Sequence, residues 1–199
     1  MAEKLKILII DDDVVDRIAV RRALKVAGES VDLCEAQNSS EAIAALNQQN
    51  FDCIFLDYRL PDTDGLILLQ QMRSLGLKIP ILVLTGQGDE EIAVEIIKAG
   101  ASDYIPKGKV SDESLSRSLR NAIRIYRAEQ EAALAQQQLK ISEERYRLVL
   151  EGSKDAIWDW DILQNQIYWN DRLTDIIGLS AGEFGGEGGN VARTWSAFL

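Results

Sequence analysis

The first ~110 residues of this chain predict an α/β fold, a doubly wound parallel sheet of five strands with helices on both faces. Three observations carry that expectation. Short, nearly continuous apolar runs recur at 5–10, 31–35, 51–56, 79–84 and 103–105, as strands buried on both faces require. Helical-period patterns lie between them, at 16–26, 41–48, 66–75 and 90–99. Gly28, Gly76 and Gly100 follow three of these patterns, where a left-handed helix C-cap is expected. Five strands alternating with helices in this way suggest a flavodoxin-like sheet.

A fifth helix is expected to start near Ser111. Ser111 suits the N-cap, Asp112 and Glu113 suit the positive helix end, and Val110 can staple against Leu115. Leu115, Leu119, Ile123 and Tyr126 then repeat at helical spacing and would dock the helix on the sheet. No proline or glycine follows until Gly152, so 112–151 predicts one helix about 60 Å long. A seam at a and d spacing from Leu115 to Leu150 includes Ser118, Ala122 and Ile125, and polar Glu129, Gln136 and Glu143 interrupt it. That pattern reads either as a weak parallel coiled coil, giving a homodimer through the fifth helix and its extension, or as a solvated spacer helix.

Past Gly152 the composition changes, and all four tryptophans occur there, at Trp158, Trp160, Trp169 and Trp195. Residues 156–162 and 166–169 predict a hairpin, 171–177 a short helix ended by Gly178, and the glycine-rich 182–189 a loop.

Composition narrows the functional classes. With 22 basic and 32 acidic residues the net charge is −10, against the basic face that nucleic-acid binding needs. The two cysteines, Cys34 and Cys53, lack CxxC spacing and are expected as free thiols. Without any histidine the segment has no zinc-hydrolase site, no Ser/His/Asp triad and no phosphohistidine of its own. No run reaches the roughly 18 to 20 apolar residues that span a bilayer, and the start lacks a signal peptide's apolar stretch. The expected location is the cytoplasm, with no membrane partner.

In an open α/β sheet ligands bind beyond the carboxyl ends of the strands. The residues expected there are Asp11 and Asp12 after the first strand, Asp57 after the third, Thr85 after the fourth and Lys107 past the fifth. Three carboxylates converging on one crevice repel one another unless a cation is bound. All-oxygen ligands favour Mg²⁺, which also accepts phosphate oxygens. A carboxylate nucleophile can form an acyl phosphate, and its equatorial oxygens call for the positive charge and donors that Mg²⁺, Lys107 and the Thr85 hydroxyl would supply.

With ILIIDDD at 7–13, LDYRLPDTDG at 56–65 and LTGQGDEEIAVEIIKAGASDYIPKG at 84–108, residues 1–127 resemble the response-regulator receiver family of the CheY type. The resemblance implies that Asp57 is the phosphoacceptor and that the receiver catalyses its own phosphorylation and dephosphorylation. It implies that Asp12 ligates Mg²⁺ directly, Asp11 mainly through water, and that Asp57 and the Arg59 backbone carbonyl complete the protein's ligands. Thr85 and Tyr104 match the family's switch pair. Arg59 and Gln87, two residues beyond Asp57 and Thr85, flank the pocket mouth and are expected to modulate phosphoryl lifetime. The implied partner is a sensor histidine kinase or a phosphotransfer protein. Most receivers follow the active lysine with proline, often through a cis bond; here Pro106 precedes Lys107 and Gly108 follows it.

Two other readings compete. Asp11-x-Asp13-x-Val15 satisfies the first motif of haloacid-dehalogenase-like phosphatases, but Ala93 stands where their second acid belongs and Asp57 is left unexplained. A pseudo-receiver that only dimerises would not need the full acid, threonine and lysine set. Residues 143–199, with EERYRLVLEGSKDAIWDWDILQNQIYWNDRLTDIIGLS, resemble the N-terminal portion of a PAS sensor domain. The organisation expected is a receiver at 1–127, a helical linker or coiled coil at 128–142, and a partial α+β PAS domain at 143–199, signalling to an output domain beyond it.

Overall fold

The computed structural model describes residues 4–86, 92–152, 158–163, 166–169 and 176. It divides into two units, residues 1–132 and 133–199. In the first, β1 (Leu5–Ile10), β2 (Val31–Ala36), β3 (Cys53–Asp57), β4 (Ile81–Thr85) and β5 (Asp103–Pro106) form one parallel sheet in the order β2-β1-β3-β4-β5. Between the strands run α1 (Val14–Val26), α2 (Ser39–Gln48), α3 (Gly65–Ser74) and α4 (Ala93–Lys98). A 3₁₀ turn at Lys107–Lys109 leads into α5 (Asp112–Gly152). This is the flavodoxin-like sheet expected, with its strand order reversing between β1 and β3.

Period-two alternation sorts the strand side chains onto two faces. Ile7, Ile9, Phe55, Leu82, Leu84 and Ile105 pack with Leu24 of α1 and with Leu115, Leu119 and Ile123 of α5. Leu8, Ile10, Ile54, Leu56 and Val83 pack on the other face with Ala42, Leu68, Met72 and Ile96 from α2, α3 and α4. Each face is therefore closed by helices, and the strands can be apolar throughout.

The expected glycine C-caps are present, with φ of 74° at Gly28, 84° at Gly76 and 101° at Gly100. Three helices begin one or two residues earlier than the apolar pattern predicts, because short polar side chains cap them. Asp13 accepts from the Val15 N–H, Asn38 from Glu41 and Asp64 from Leu66. The first helical residues of the pattern at 90–99 lie partly outside the described residues, and α4 is described from Ala93. β3 and β4 also start two residues later than expected: Phe51 is buried but outside the ladder, and Pro80 has no N–H to donate. Both strands also end one residue later than expected, so Asp57 and Thr85, expected just past their strands, are the last residues within them.

Helix α5 starts as read, with the Ser114 N–H donating to Ser111 Oγ at 3.1 Å. The proposed seam needs a correction: Leu115 is 0% exposed and Ala122 6%, both packed against the chain's own sheet and unavailable to a second chain. Ile125, at 54% exposure, is the first open apolar seam position. From 131 to 149 every position is exposed.

In the second unit β6 (Trp158–Asp161) and β7 (Gln166–Trp169) pair antiparallel, Trp158 opposite Trp169, as the expected hairpin. The helix and glycine loop expected at 171–177 and 182–189 lie outside the described residues, Ile176 apart. Cys34 and Cys53 are free thiols, the second fully buried. No helix among the described residues is long and apolar enough to cross a membrane.

Candidate functional site

The strand-order reversal opens a crevice between the ends of β1 and β3, and the predicted acids meet there. Asp11 leaves β1 with its N–H bonded to the Ala36 carbonyl at 3.0 Å, and Asp57 closes β3 opposite Leu84. One carboxylate oxygen from each of Asp11, Asp12 and Asp57 lies within 4.8 Å of the others. Asp11 and Asp57 are buried and Asp12 is exposed, so the cluster has a dry floor and an open rim. Asp13, by contrast, turns its carboxylate to the α1 N-terminus, so the acid pair of the haloacid-dehalogenase motif does not share this pocket.

Lys107 reaches in from the 3₁₀ turn. Its Nζ stands 3.0 Å from Asp57 Oδ1, 3.0 Å from Asp11 Oδ2 and 2.6 Å from Asp16 Oδ2. Burial pushes the Asp57 carboxyl up to about 6; Lys107 opposes that rise and the Asp11 charge adds to it. Asp11 is also raised, again chiefly by burial. Burial alone would lower the Lys107 ammonium, but its contacts with Asp16, Asp11 and Asp57 win, and it is held above its ordinary value. Each group thus departs from its ordinary behaviour in the direction of an under-neutralised acidic pocket.

That pocket fits Mg²⁺. One ammonium faces three clustered carboxylates, and Asp11 Oδ2 is buried with no hydrogen bond of good geometry. Hard oxygen donors and an excess of negative charge are what a hard divalent cation requires.

Thr85, 2% exposed, ends β4 one residue past the pairing of Leu84 with Asp57. Tyr104 lies on β5 opposite Val83, half-buried and packed against the α2–α4 face of the core. Arg59 forms an antiparallel bridge with Asp64, and its backbone N–H supports the Asp57 carboxylate. Gln87 lies outside the described residues. Every described peptide bond is trans, Lys107–Gly108 included.

Three contributors escaped the sequence reading. Arg17, 6% exposed, donates from Nη1 to the carbonyls of Asp11 at 2.7 Å and Asp12 at 3.1 Å, and from Nε to Glu35 at 2.9 Å. It braces the backbone that presents both β1 acids. Gly65 packs so closely on the end of β3 that a Cβ would lie 2.4 Å from the Asp57 carbonyl oxygen. Asp16, in the first turn of α1, holds Lys107. A signal existed for Asp16 and Arg17, since an Asp13 N-cap fixes the phase of the helix that carries them.

Comparison with known proteins gives the family. The response regulator receiver domain family matches residues 7–120, more than half of the chain. The response regulator MprA of Mycolicibacterium vanbaalenii is 40% identical over 113 residues, covering 57% of this chain and 48% of its own length. The chain thus spans about half the length of the curated relatives it matches. The crystal structure of the receiver domain of NtrX from Brucella abortus superposes with a TM-score of 0.55 at 31% identity, covering 59% of this chain and 98% of its own. A putative response regulator from Chloroflexus aurantiacus gives 0.57 at 29% identity, covering 61% and 99%. With its acidic pocket of Asp11, Asp12 and Asp57 facing Lys107, this chain belongs to the response regulator receiver domain family of two-component signalling.

Proposed function

We propose that Asp57 accepts a phosphoryl group and that the occupied and free states of the receiver are the signal. One observation carries this reading: a nearly fully buried Asp57 ends β3 at the sheet's switch point with the Lys107 ammonium 3.0 Å away. An Asp57 oxygen bonds to phosphorus as the donor's bond to phosphorus breaks, a P–N bond in a phosphohistidine or a P–O bond in acetyl phosphate. The donor's leaving group takes the bonding pair. Asp57 must be ionised to attack. Lys107 and the Thr85 hydroxyl then meet the phosphoryl oxygens, where fixed donors lower the barrier most. Mg²⁺, held by Asp11, Asp12, Asp57 and the Arg59 carbonyl, supplies charge neutralisation on the transferring group when bound.

The test is Mg²⁺-dependent labelling by acetyl phosphate. The parent chain labels and Asp57→Asn does not; equal labelling of both would refute the assignment.

The finer reading follows from the same site. The donor is a sensor histidine kinase or a phosphotransfer protein, acting in the cytoplasm. Thr85 moves to the phosphoryl and Tyr104 turns inward, as a switch pair. Arg59 and Gln87 set phosphoryl lifetime by screening or positioning the attacking water; Arg59→Ala and Gln87→Ala change decay while Mg²⁺ affinity holds, and unchanged decay in both would rule this out. Residues 1–127 are the receiver, 128–142 a helical linker, and 143–199 the beginning of a PAS domain, for which the Trp158–Trp169 hairpin is supporting ground. A parallel dimer through the extension of α5 fits Leu139 at 60% and Tyr146 at 62% exposure, apolar seam positions open to a second chain. Sedimentation of the chain with and without beryllofluoride tests it, and a monomer at every concentration in both conditions would refute it.

A further inference from the structure

The acidic triad does not account for every carboxylate on Lys107. The shortest contact of its ammonium is with Asp16 Oδ2, at 2.6 Å, and among the described residues it is the one with hydrogen-bond geometry. Its two ion pairs with the crevice acids, Asp11 and Asp57, are longer, at 3.0 Å. Asp11 Oδ2 correspondingly remains without a hydrogen bond although the ammonium is beside it. The tightest hold on the Lys107 ammonium is thus from α1, at the rim, and not from the acids of the crevice floor. Asp16 is not one of the three clustered acids, and it is anchored on a capped helix turn at the rim.

A phosphoryl group on Asp57 would bring up to two negative charges and three acceptor oxygens into the crevice. Those oxygens need the same ammonium that Asp16 holds. We propose that Asp16 is a positioning residue that competes with the phosphoryl group for Lys107, so that its grip sets how readily the occupied state forms. The inference rests on the phosphoacceptor reading of Asp57. Weakening the grip while keeping the shape frees Lys107 for the new anion, so the occupied state gains. An Asn at this position retains a hydrogen-bond acceptor but removes the carboxylate charge, so the ion pair with Lys107 is lost and a weaker ion–dipole bond remains.

The test uses the full chain and beryllofluoride, titrated by calorimetry at saturating Mg²⁺, with Mg²⁺ alone titrated in parallel. Asp16→Asn is expected to bind beryllofluoride about five-fold more tightly than the parent, with Mg²⁺ affinity held within about two-fold. Asp16→Ala, which removes the acceptor altogether, is expected to tighten at least as much. Asp13→Asn is the control: it removes a neighbouring charge that caps α1 and does not touch Lys107. Equal or weaker beryllofluoride binding by both Asp16 variants would overturn the proposal. So would an equal gain in Asp13→Asn, which would make the effect one of general charge. A parent chain that takes up no beryllofluoride at all would instead overturn the phosphoacceptor reading on which the proposal rests.

Discussion

Replacing Asp57 with asparagine should make the metal-free protein more stable while abolishing its labelling. The Asp57 side chain is only 6% exposed, so its desolvation is not discounted by nearby water. Its carboxyl rises from 3.8 to about 6, with burial the leading cause. Because the folded value lies above the unfolded one, the native state binds the proton more tightly. The stability this contributes is complete below the unfolded value and is lost as pH rises through about 6. The raised value therefore costs about 3 kcal/mol of stability at pH 7 and roughly 1.6 kcal/mol at pH 5, relative to low pH where the carboxyl is protonated in both states. Asparagine cannot ionise, and Lys107 retains Asp11 and Asp16 as partners. Urea unfolding in EDTA should show Asp57→Asn ahead by up to about 3 kcal/mol at pH 7, and by about half that at pH 5. Adding Mg²⁺ should narrow the gap by stabilising the parent more. An Asp57→Asn protein no more stable than its parent at pH 7, or a gap that fails to shrink at pH 5, would refute this account of the pocket.

Two further substitutions probe the frame around the acids. Arg17→Ala removes the brace on the Asp11 and Asp12 carbonyls and strands buried polar groups; it should cost about 3 kcal/mol in urea unfolding and weaken Mg²⁺ binding measured by calorimetry. Gly65→Ala places a Cβ 2.4 Å from the Asp57 carbonyl oxygen and 2.8 Å from Tyr58 Cα, backbone atoms that cannot rotate away. It should cost about 2 kcal/mol or more and slow acetyl phosphate labelling, because β3 must shift and carry Asp57 with it. Unaltered Mg²⁺ affinity in the first, or parent-like labelling in the second, would show that the frame does not position the acids.

The sheet, the two helical layers and the acidic crevice were legible because each left a local mark. Strands buried on both faces need unbroken apolar runs such as CIFLD, and Gly28, Gly76 and Gly100 stand where the chain turns left-handed. Helix starts were less legible, since Asp13, Asn38 and Asp64 could equally have been loop residues until their carbonyl or carboxylate oxygens were seen to accept helix N–H groups. Asp16 and Arg17 were missed for a different reason. The Asp13 cap could have placed both on the first turns of α1, but not named their partners: Asp16 meets Lys107 across 91 positions of sequence, and Arg17 acts on backbone carbonyls. The α5 seam shows the limit of periodicity most clearly. Leu115 and Ala122 repeat as a coiled coil would have them, yet a spacing cannot say whether the partner is a second chain or the same chain's own sheet.

The two borders of the parallel sheet restrict how copies of this protein can associate. On one side β2 carries Asp32, 62% exposed at its side chain, and Glu35, engaged by Arg17 and Arg21. On the other, β5 is four residues long and ends in Pro106, which has no backbone proton to offer an incoming strand. Brevity, charge and proline are the devices that discourage sheet extension. Self-association by continuing this sheet from one molecule into the next is therefore disfavoured at both borders. Association across the five-stranded sheet is thereby left to side chains rather than strand backbones, and so to the surfaces of the helices that cover it.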